Sequence, residues 1–378
     1  MNFLFFRDKE RADTRKVRYA AIGAGWITQE DFLPGIADTD NSEIVALVTG
    51  DPEKARELGK KYDITVCGYD GYADLLRSGK IDAVYIALPN HLHRDYSLLA
   101  LNMGIHVLLE KPMARTEEEC LELINASQQS GSKLMVAYRL HFEPATLHAL
   151  ETVRSGKIGE PRFFTALLTQ QILPDNHRLE AKNWAGPLQD VGPYPINAAR
   201  QLFQAEPLEV FAYACSGEKD ARFKEIAEMV SVQLLFPGQR LAQFIVSYGA
   251  NAVDHYRIVG TEGDLNVEPG FTWQAKLNQQ LTVGTKKSEK PFDMVNQFGG
   301  ETRYFSDCIL DDRHPEPDGW EGLADVRIIQ AVEKSLAEKR PVAIKPMIRP
   351  HRPSLDQVET LPAIRKEKMV NAESASGT

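Results

Sequence analysis

The sequence predicts an α/β protein in which a parallel sheet covered by helices is followed by a region of mostly antiparallel strands. Three observations support this prediction. The chain has 378 residues, 43% of them hydrophobic, which is enough for a large core and more typical of two domains than one. Its first half alternates short apolar runs with helix-like stretches. Its second half has strand-like runs separated by Pro-Gly and Glu-Gly turns.

The first half contains apolar runs that are typical of strands, and the second run begins about a helix length after the first. The runs are residues 17–26, 43–50, 82–89, 106–112 and 133–139. The helix before the last run is bounded by Thr116 as an N-cap, with Glu119 three residues on, and by Gly131 as a stop. Nearly continuous apolar strands joined by helices indicate a parallel sheet that is buried on both faces.

Charge and cysteine content exclude several classes of function. The net charge of −9 is unlike the clustered Lys and Arg of proteins that bind nucleic acid or anionic membranes, so we expect neither partner and favour a small molecule. The four cysteines have no CxxC spacing and indicate neither a zinc knuckle nor a disulfide framework. No run approaches the roughly 18 apolar residues of a membrane span, and the apolar start is too short for a signal peptide. We therefore expect a cytoplasmic protein with a loose N-terminal arm over residues 1–16.

Ligands of parallel sheets bind beyond the carboxyl ends of the strands, where loops and helix N-termini converge. The first strand ends in "GAGWIT", in which two glycines permit a tight turn and close approach of a pyrophosphate. Thr28 stands where a third glycine is usual. The candidate cofactor contacts here are Gly23, Gly25, Trp26 and Ile27. An ordinary strand-to-helix turn is the alternative, and the βαβ context favours a nucleotide.

The end of the second strand distinguishes the two nicotinamide cofactors. NAD is usually recognised by a carboxylate at this point, whereas the 2′-phosphate of NADP needs space and donors. Thr49 and Gly50 offer a hydroxyl and room, and Lys54 follows in the first turn of the next helix. Asp51 is explained as the N-cap before Pro52. We expect NADP, with NAD as the alternative. The argument for NADP would lose one of its donors if Lys54 were only a solvated charge on the helix.

The end of the run 82–89, "LPNHLH", provides further candidates to line the nicotinamide side of a cleft. These candidates are Leu88, Asn90 and His93. Asn90 is equally suited to cap the following helix. Because His91 and His93 are two residues apart and have no nearby third ligand, we expect no metal site.

The next strand ends in "EKP", which places Glu110 and Lys111 at the same edge of the sheet. A lysine there can donate a hydrogen bond to a reacting oxygen and lower the pKa of a neighbouring acid–base group. Glu110 is expected to hold the ammonium in place and to contribute to the cofactor site. A strand-end ion pair without chemistry is the alternative.

The second half has strand-like runs on either side of a helical segment. The runs are residues 161–171, 208–217, 229–249 and 254–269. Between the first two lies "DVGPYPINAARQLF", which is helix-like from about Pro195. Asp190 and Tyr194 are four residues apart and are expected on one side of this helix start, facing the cleft.

Four motifs in order, "GAG", "EKP", "YRLHFEP" and "DVGPYPINAAR", make the chain similar to the Gfo/Idh/MocA family of sugar oxidoreductases. The resemblance covers about residues 17–345. It implies a Rossmann domain with a doubly wound parallel sheet over 17–140. An α+β domain with an open, mostly antiparallel sheet follows over 141–345. Residues 346–378 are expected to be an extended or disordered tail.

The resemblance also implies roles for individual residues. Lys111 and Tyr194 are the expected proton-handling pair, and Asp190 is expected to orient the substrate hydroxyl. Tyr194 stands where many relatives have His, and a phenol with a pKa of about 10 needs a neighbouring cation to act as a base near neutrality. Arg139 is an expected cofactor contact. His141 and Arg178, together with Lys111, Asp190 and Tyr194, are the expected substrate contacts.

The implied activity is NADP-dependent hydride transfer at a secondary alcohol or carbonyl carbon of a sugar, polyol or diol. A non-catalytic, dinucleotide-binding regulatory protein of the same family is the alternative. Because the N-terminal arm is short, we expect the cofactor to be released after turnover. Both faces of the strand over residues 241–248 carry apolar side chains, which predicts a homodimer or homotetramer formed through the C-terminal sheet.

Overall fold

The computed structural model describes residues 15–376, which contain two sheets and their covering helices. The strands are β1 (Val17–Ile22), β2 (Ser42–Val48), β3 (Thr65–Cys67), β4 (Ala83–Ile86), β5 (His106–Leu109), β6 (Leu134–Val136), β7 (Pro161–Thr169), β8 (Glu209–Cys215), β9 (Met229–Phe236), β10 (Arg240–Ser247), β11 (Val253–Gly260), β12 (Gly263–Val267), β13 (Asn278–Val283), β14 (Lys286–Pro291) and β15 (Val342–Ala343). The helices are α1 (Leu33–Ala37), α2 (Pro52–Tyr62), α3 (Tyr72–Arg77), α4 (His93–Asn102), α5 (Glu117–Ser130), α6 (Pro144–Arg154), α7 (Pro187–Asp190), α8 (Pro193–Phe203), α9 (Gln297–Leu310) and α10 (Gly319–Glu338).

The first sheet is parallel and has the order β3-β2-β1-β4-β5-β6. Its central strands are buried on both faces, as the continuous apolar runs predicted, so the doubly wound sheet is confirmed. The three-residue β3 was not predicted because it is short and only partly buried. The strand order reverses between β1 and β4, and the carboxyl ends of these two strands open the crevice in which such sheets bind ligands.

The second sheet has the order β14-β13-β12-β11-β7-β10-β9-β8-β15. Its neighbours are antiparallel apart from the parallel pair β7 and β10, which confirms the mostly antiparallel sheet. Along β10 the side chains of Ala242, Phe244 and Val246 are buried in the core. On the opposite face Leu241 is 54% exposed beside Phe163, which is 44% exposed. At one edge of this sheet β14 is exposed along its whole length.

A buried ionic cluster fixes α8, the helix that follows the "DVG" motif, against α10. Arg200 on α8 is fully buried, and its Nη1 lies 2.5 Å from Glu321 Oε1 and 2.6 Å from Asp325 Oδ1 on α10. Arg349 Nε, from the chain after α10, lies 3.0 Å from Glu321 Oε2. Each buried charge therefore has a hydrogen-bonded partner of opposite sign.

The two proposed domains share contacts, and the boundaries 17–140 and 141–345 remain a proposal. On α9, in the second segment, Ser306 Oγ lies 2.8 Å from the hydroxyl of Tyr19 on β1. Residues 1–14 of the expected N-terminal arm lie outside the described residues. Residues 346–376 of the tail have little regular secondary structure, with one 3-10 turn at Leu355–Gln357, and Arg352 Nη2 contacts Glu206 Oε1 at 2.9 Å. Among the helices of residues 15–376, none is long and apolar enough to cross a membrane.

Candidate active site

A cleft of about 970 Å³ lies between the carboxyl ends of the first sheet and the second sheet. It is lined by nearly all of the residues that the sequence singled out. These are Gly23, Gly25, Trp26, Ile27, Thr49, Gly50, Lys54, Leu88, Asn90, His93, Glu110, Lys111, Arg139, Arg178, Asp190 and Tyr194. His141 is the exception, since it does not line this cleft.

The glycine turn at the end of β1 has the shape that a phosphate contact needs. Gly23 has φ +97°, and a Cβ at this position would lie 2.5 Å from the carbonyl oxygen of Ala87, so a side chain is excluded. A Cβ at Gly25 would meet no atom within 4 Å, because this glycine borders the open cleft. The turn therefore leaves room for a ligand to approach the backbone closely.

The end of β2 presents no free carboxylate to a ribose. Asp51 caps α2: its Oδ1 accepts hydrogen bonds from the backbone N–H groups of Glu53 at 2.8 Å and Lys54 at 3.1 Å. Its Oδ2 accepts a hydrogen bond of 3.1 Å from Asn371 Nδ2. Thr49, Gly50 and Lys54 line the cleft beside it, an arrangement that suits a 2′-phosphate better than a ribose diol.

Lys111 lies at the centre of the cleft and is held by Asp190. Its Nζ donates to the Asp190 carbonyl oxygen at 2.7 Å and to Asp190 Oδ1 at 3.2 Å. Burial alone would lower the pKa of Lys111, but the negative charge of Asp190 opposes burial most strongly, and the pKa is raised above its ordinary value. Lys111 is therefore an ammonium at neutral pH.

Asp190 is surrounded by donors. Arg178 Nε lies 3.0 Å from Asp190 Oδ2, and the Tyr248 hydroxyl donates to the same oxygen at 2.5 Å. Burial would raise the pKa of Asp190, but the cations Lys111 and Arg178 and the Tyr248 hydroxyl hold it well below its usual range. The carboxylate is therefore ionised and fully engaged.

Tyr194 provides a polar group that the protein leaves unengaged. Its ring lies between two cations, 5.1 Å from Lys111 Nζ and 5.0 Å from Arg139 Cζ. Within the part of the chain that the structure describes, the hydroxyl has no hydrogen-bond partner. The ring also borders a second, small cavity of about 30 Å³, which Lys111 and Asn197 line as well.

The role expected of Glu110 is wrong, because its carboxylate does not contact the ammonium of Lys111. Successive side chains of a strand point to opposite faces, so the two neighbours diverge at the end of β5. Glu110 Oε1 instead accepts a hydrogen bond of 2.7 Å from the Tyr85 hydroxyl. Burial raises the pKa of Glu110, and the charge of Lys111 opposes that shift. Glu110 still borders the cleft.

The structure places His141 apart from the expected substrate contacts. It is 2% exposed, its Nε2 lies 2.8 Å from Asn197 Oδ1, and its Nδ1 lies 3.2 Å from both carboxylate oxygens of Glu316. Both ring nitrogens are thus engaged inside the protein, and His141 supports α8 through Asn197. We do not retain it as a substrate contact.

Three other predicted residues line the cleft but have most of their polar atoms engaged. Arg139 donates to Gln297 Oε1 and, at 2.6 Å, to the carbonyl oxygen of Phe271. Both ring nitrogens of His93 lie within 2.9 Å of backbone carbonyl oxygens. Asn90 Nδ2 donates to the Trp184 carbonyl oxygen at 3.1 Å instead of capping a helix. These side chains shape the wall of the cleft.

Several lining residues were not predicted from the sequence. Tyr248 does not line the cleft but supports it through its hydrogen bond to Asp190, and it too was not predicted, since it follows β10 in a run that was interpreted only as a strand. Trp273 and Gln274 lie in the segment between β12 and β13. Asn371, Ala372, Glu373, Ala375 and Ser376 belong to the C-terminal tail. No group of three or more His, Cys, Asp or Glu side chains within residues 15–376 has the arrangement of a metal site.

Comparison with known proteins gives matches over most of the chain. Residues 17–138 match the model of an oxidoreductase family with an NAD-binding Rossmann fold, and residues 146–266 match the GFO/IDH/MocA C-terminal domain. D-xylose 1-dehydrogenase [NADP(+)] of Haloarcula marismortui is 34% identical over 334 residues, which are 86% of this chain and 92% of that protein. scyllo-inositol 2-dehydrogenase (NADP(+)) of Bacillus subtilis is 34% identical over 216 residues, 54% of this chain and 64% of that protein. The crystal structure of aldose-aldose oxidoreductase from Caulobacter crescentus superposes with a TM-score of 0.83 at 33% identity, covering 87% of this chain and all of that chain.

Proposed function

The chain belongs to the GFO/IDH/MocA family of oxidoreductases, and on this basis we propose that it is an NADP-dependent enzyme acting on a sugar, polyol or diol. The reaction is hydride transfer between the nicotinamide and a secondary alcohol or carbonyl carbon. One observation carries the proposal. The Lys111 ammonium, the ionised Asp190 and the unengaged Tyr194 hydroxyl border the same cleft as the glycine turn of β1.

The residues of the cleft fit NADP. Gly23 and Gly25 receive the pyrophosphate, since the turn has no side chain in the way. Thr49, Gly50 and Lys54 surround the 2′-phosphate, and the capped carboxylate of Asp51 is not offered to the ribose. NADP supplies the hydride acceptor, and NADPH the donor. The NADP-dependent relatives support this assignment.

Tyr194 is the proposed acid–base group. Its hydroxyl is unengaged, and the Lys111 ammonium lies 5.1 Å from the centre of its ring. For alcohol oxidation, deprotonated Tyr194 Oη takes the proton of the substrate hydroxyl; for carbonyl reduction, the Tyr194 hydroxyl gives its proton to the oxygen that becomes the product hydroxyl. Lys111 polarises the reacting oxygen by its charge. Asp190, whose oxygens already accept from Lys111, Arg178 and Tyr248, holds Lys111 in position.

The direct test is a titration of the purified protein with NADP and NADPH against a panel of sugars, sugar acids, inositols and diols. The absorbance of reduced nicotinamide reports turnover. We expect turnover with at least one panel member and a preference for NADP over NAD. Binding of cofactor without turnover of any member would support the non-catalytic regulatory alternative instead.

The assembly and the cellular location also remain proposals. Leu241 and Phe163 are neighbours on the exposed face of the second sheet, and an exposed apolar face of this kind is suited to a copy of the same chain. Light scattering that gave only the monomer mass of 42.3 kDa would rule out the dimer or tetramer. The free thiols of Cys67, Cys120, Cys215 and Cys308 support a cytoplasmic location.

A further inference from the structure

The C-terminal residues 369–376, called the strap below, are anchored to the first domain beside the glycine turn. Gln29 follows that turn and is 3% exposed. Its Nε2 donates to the Val370 carbonyl oxygen at 2.9 Å, and its Oε1 accepts from the Val370 N–H at 2.8 Å. This paired hydrogen bond fixes one end of the strap where the pyrophosphate is proposed to bind.

The other end of the strap is anchored to the second domain. The backbone N–H of Leu173 donates to the Ala375 carbonyl oxygen at 2.9 Å. The Ala375 side chain, 5% exposed, packs in a small apolar cluster that includes Ile172 and Tyr248. The strap therefore passes from one wall of the cleft to the other.

Between these anchors the strap faces the cleft. Asn371, Ala372, Glu373, Ala375 and Ser376 form part of its lining. Asn371 Nδ2 also donates to Asp51 Oδ2 at 3.1 Å and to Glu53 Oε2 at 2.9 Å. These two carboxylates lie at the end of β2 and the start of α2, next to the proposed 2′-phosphate position. The strap is thus closed over the nucleotide end of the cleft.

We propose that the strap is a wall of the cofactor site and a latch that must detach before the dinucleotide can leave. This inference rests on the proposed function, because it takes NADP to be the occupant of the cleft. The hydrogen bonds of Asn371 lie at the surface and those of Val370 are partly buried, so the strap can open locally while both sheets stay folded. The latch therefore slows exchange of the cofactor without requiring movement of the domains.

The test is the dissociation rate of NADPH, followed by stopped-flow fluorescence while excess NADP displaces it. The full chain is compared with a chain that ends at residue 368. Removing the strap is expected to raise the dissociation rate constant about tenfold or more, with a smaller change in association, since contacts that close a site act mainly on dissociation. The unfolding transition of the cofactor-free protein should stay cooperative.

A full-length variant provides a second test that does not depend on the truncated chain folding. Asn371→Asp replaces the donor by a carboxylate that faces Asp51 and Glu53, and repulsion should detach the strap at this point. Lys368→Gln is the matched control: it makes the same change in net charge at an exposed position just before the strap. We expect faster NADPH dissociation for Asn371→Asp and an unchanged rate for Lys368→Gln.

The proposal that the strap is a latch would be wrong if NADPH dissociated at the same rate from three proteins: the full chain, the folded truncated chain and Asn371→Asp. If the truncated chain does not fold, the comparison of Asn371→Asp with Lys368→Gln decides the question. A full-length protein that binds no NADPH would be a different result, because it overturns the proposed function and the latch together.

Discussion

The Tyr248 hydroxyl donates a 2.5 Å hydrogen bond to Asp190 Oδ2, while Asp190 Oδ1 accepts from Lys111. A residue just beyond the end of β10 thus supports the lysine at the end of β5 through one carboxylate. Replacing Tyr248 by Phe keeps the ring in place and removes this donor. Because a hydrogen bond to a charged group contributes about 1.5–3 kcal/mol, we expect kcat to fall by roughly tenfold or more. Steady-state kinetics with NADP and the sugar found by the panel measure the change, and unaltered kcat would exclude a positioning role.

Lys111→Met should abolish most of the turnover. The substitution removes the ammonium but leaves Asp190 paired with Arg178 and Tyr248, so the fold should hold. Loss of a charged group that assists proton transfer should lower kcat by a factor of about 10²–10⁴. Lys182→Met is the control, because Lys182 lies in the 3-10 turn Ala181–Asn183 with its side chain 76% accessible. Turnover of Lys111→Met within twofold of the natural protein would contradict the proposed mechanism.

Tyr194→Phe should lower kcat with little change in KM. The variant retains the ring between Lys111 and Arg139 and loses only the hydroxyl that exchanges the proton. We expect a loss of about 10² or more in kcat. Tyr213→Phe, at a position that is 68% exposed on β8, serves as the control. If Tyr194→Phe raised KM alone, its hydroxyl would be a binding group and not an acid–base group.

Arg200→Met should destabilise the protein strongly. The substitution leaves Glu321 and Asp325 buried, with much of their positive partner charge gone. Removing one partner of a buried ion pair lowers the unfolding free energy by about 3–5 kcal/mol. Arg162→Met removes an exposed pair with Glu160 and should cost less than about 1 kcal/mol. Urea unfolding at pH 7 compares the two variants, and similar losses would show that the ionic cluster does not stabilise α8 against α10.

The buried carboxyl group of Asp31 should make stability depend on pH. Burial, and next the charge of Glu30, raises the pKa of Asp31 to about 8. A carboxyl whose folded pKa is raised holds its proton more tightly in the folded state, so the free energy of unfolding decreases as pH rises from about 4 to about 8. For Asp31 alone, the upper bound on this decrease in unfolding free energy is on the order of 5 kcal/mol. Glu110 and Glu301, whose pKa values burial also raises, contribute in the same direction.

Asp31→Asn should therefore flatten part of this pH dependence and raise the unfolding free energy at pH 8 relative to the natural protein. Asp40→Asn, at an exposed position nearby, should leave the slope as it was. Urea unfolding between pH 5 and pH 8 provides both measurements. Parallel curves for Asp31→Asn and the natural protein would mean that Asp31 is ionised throughout this range.

The sequence predicted those parts of the site that depend on local pattern. Lys111 and Gly23 could be placed because each ends an apolar run, and the carboxyl ends of parallel strands meet at one edge. Glu110 was misassigned because adjacency in sequence was taken for contact, although strand neighbours point apart. Tyr248 and Asn371 could not be predicted, since their partners Asp190 and Asp51 lie 58 and 320 residues away in the chain.

The exposed edge strand β14 limits how copies of this chain can aggregate. Its sequence, Lys-Lys-Ser-Glu-Lys-Pro, places charges along the free edge and ends with a proline that has no N–H to donate. Such an edge resists the addition of a strand from another molecule. At the opposite edge β15 has only two residues, which is too short a template for extended pairing. Amyloid-like growth through the free edges of this sheet is therefore disfavoured, even though the sheet has nine strands and is open at both sides.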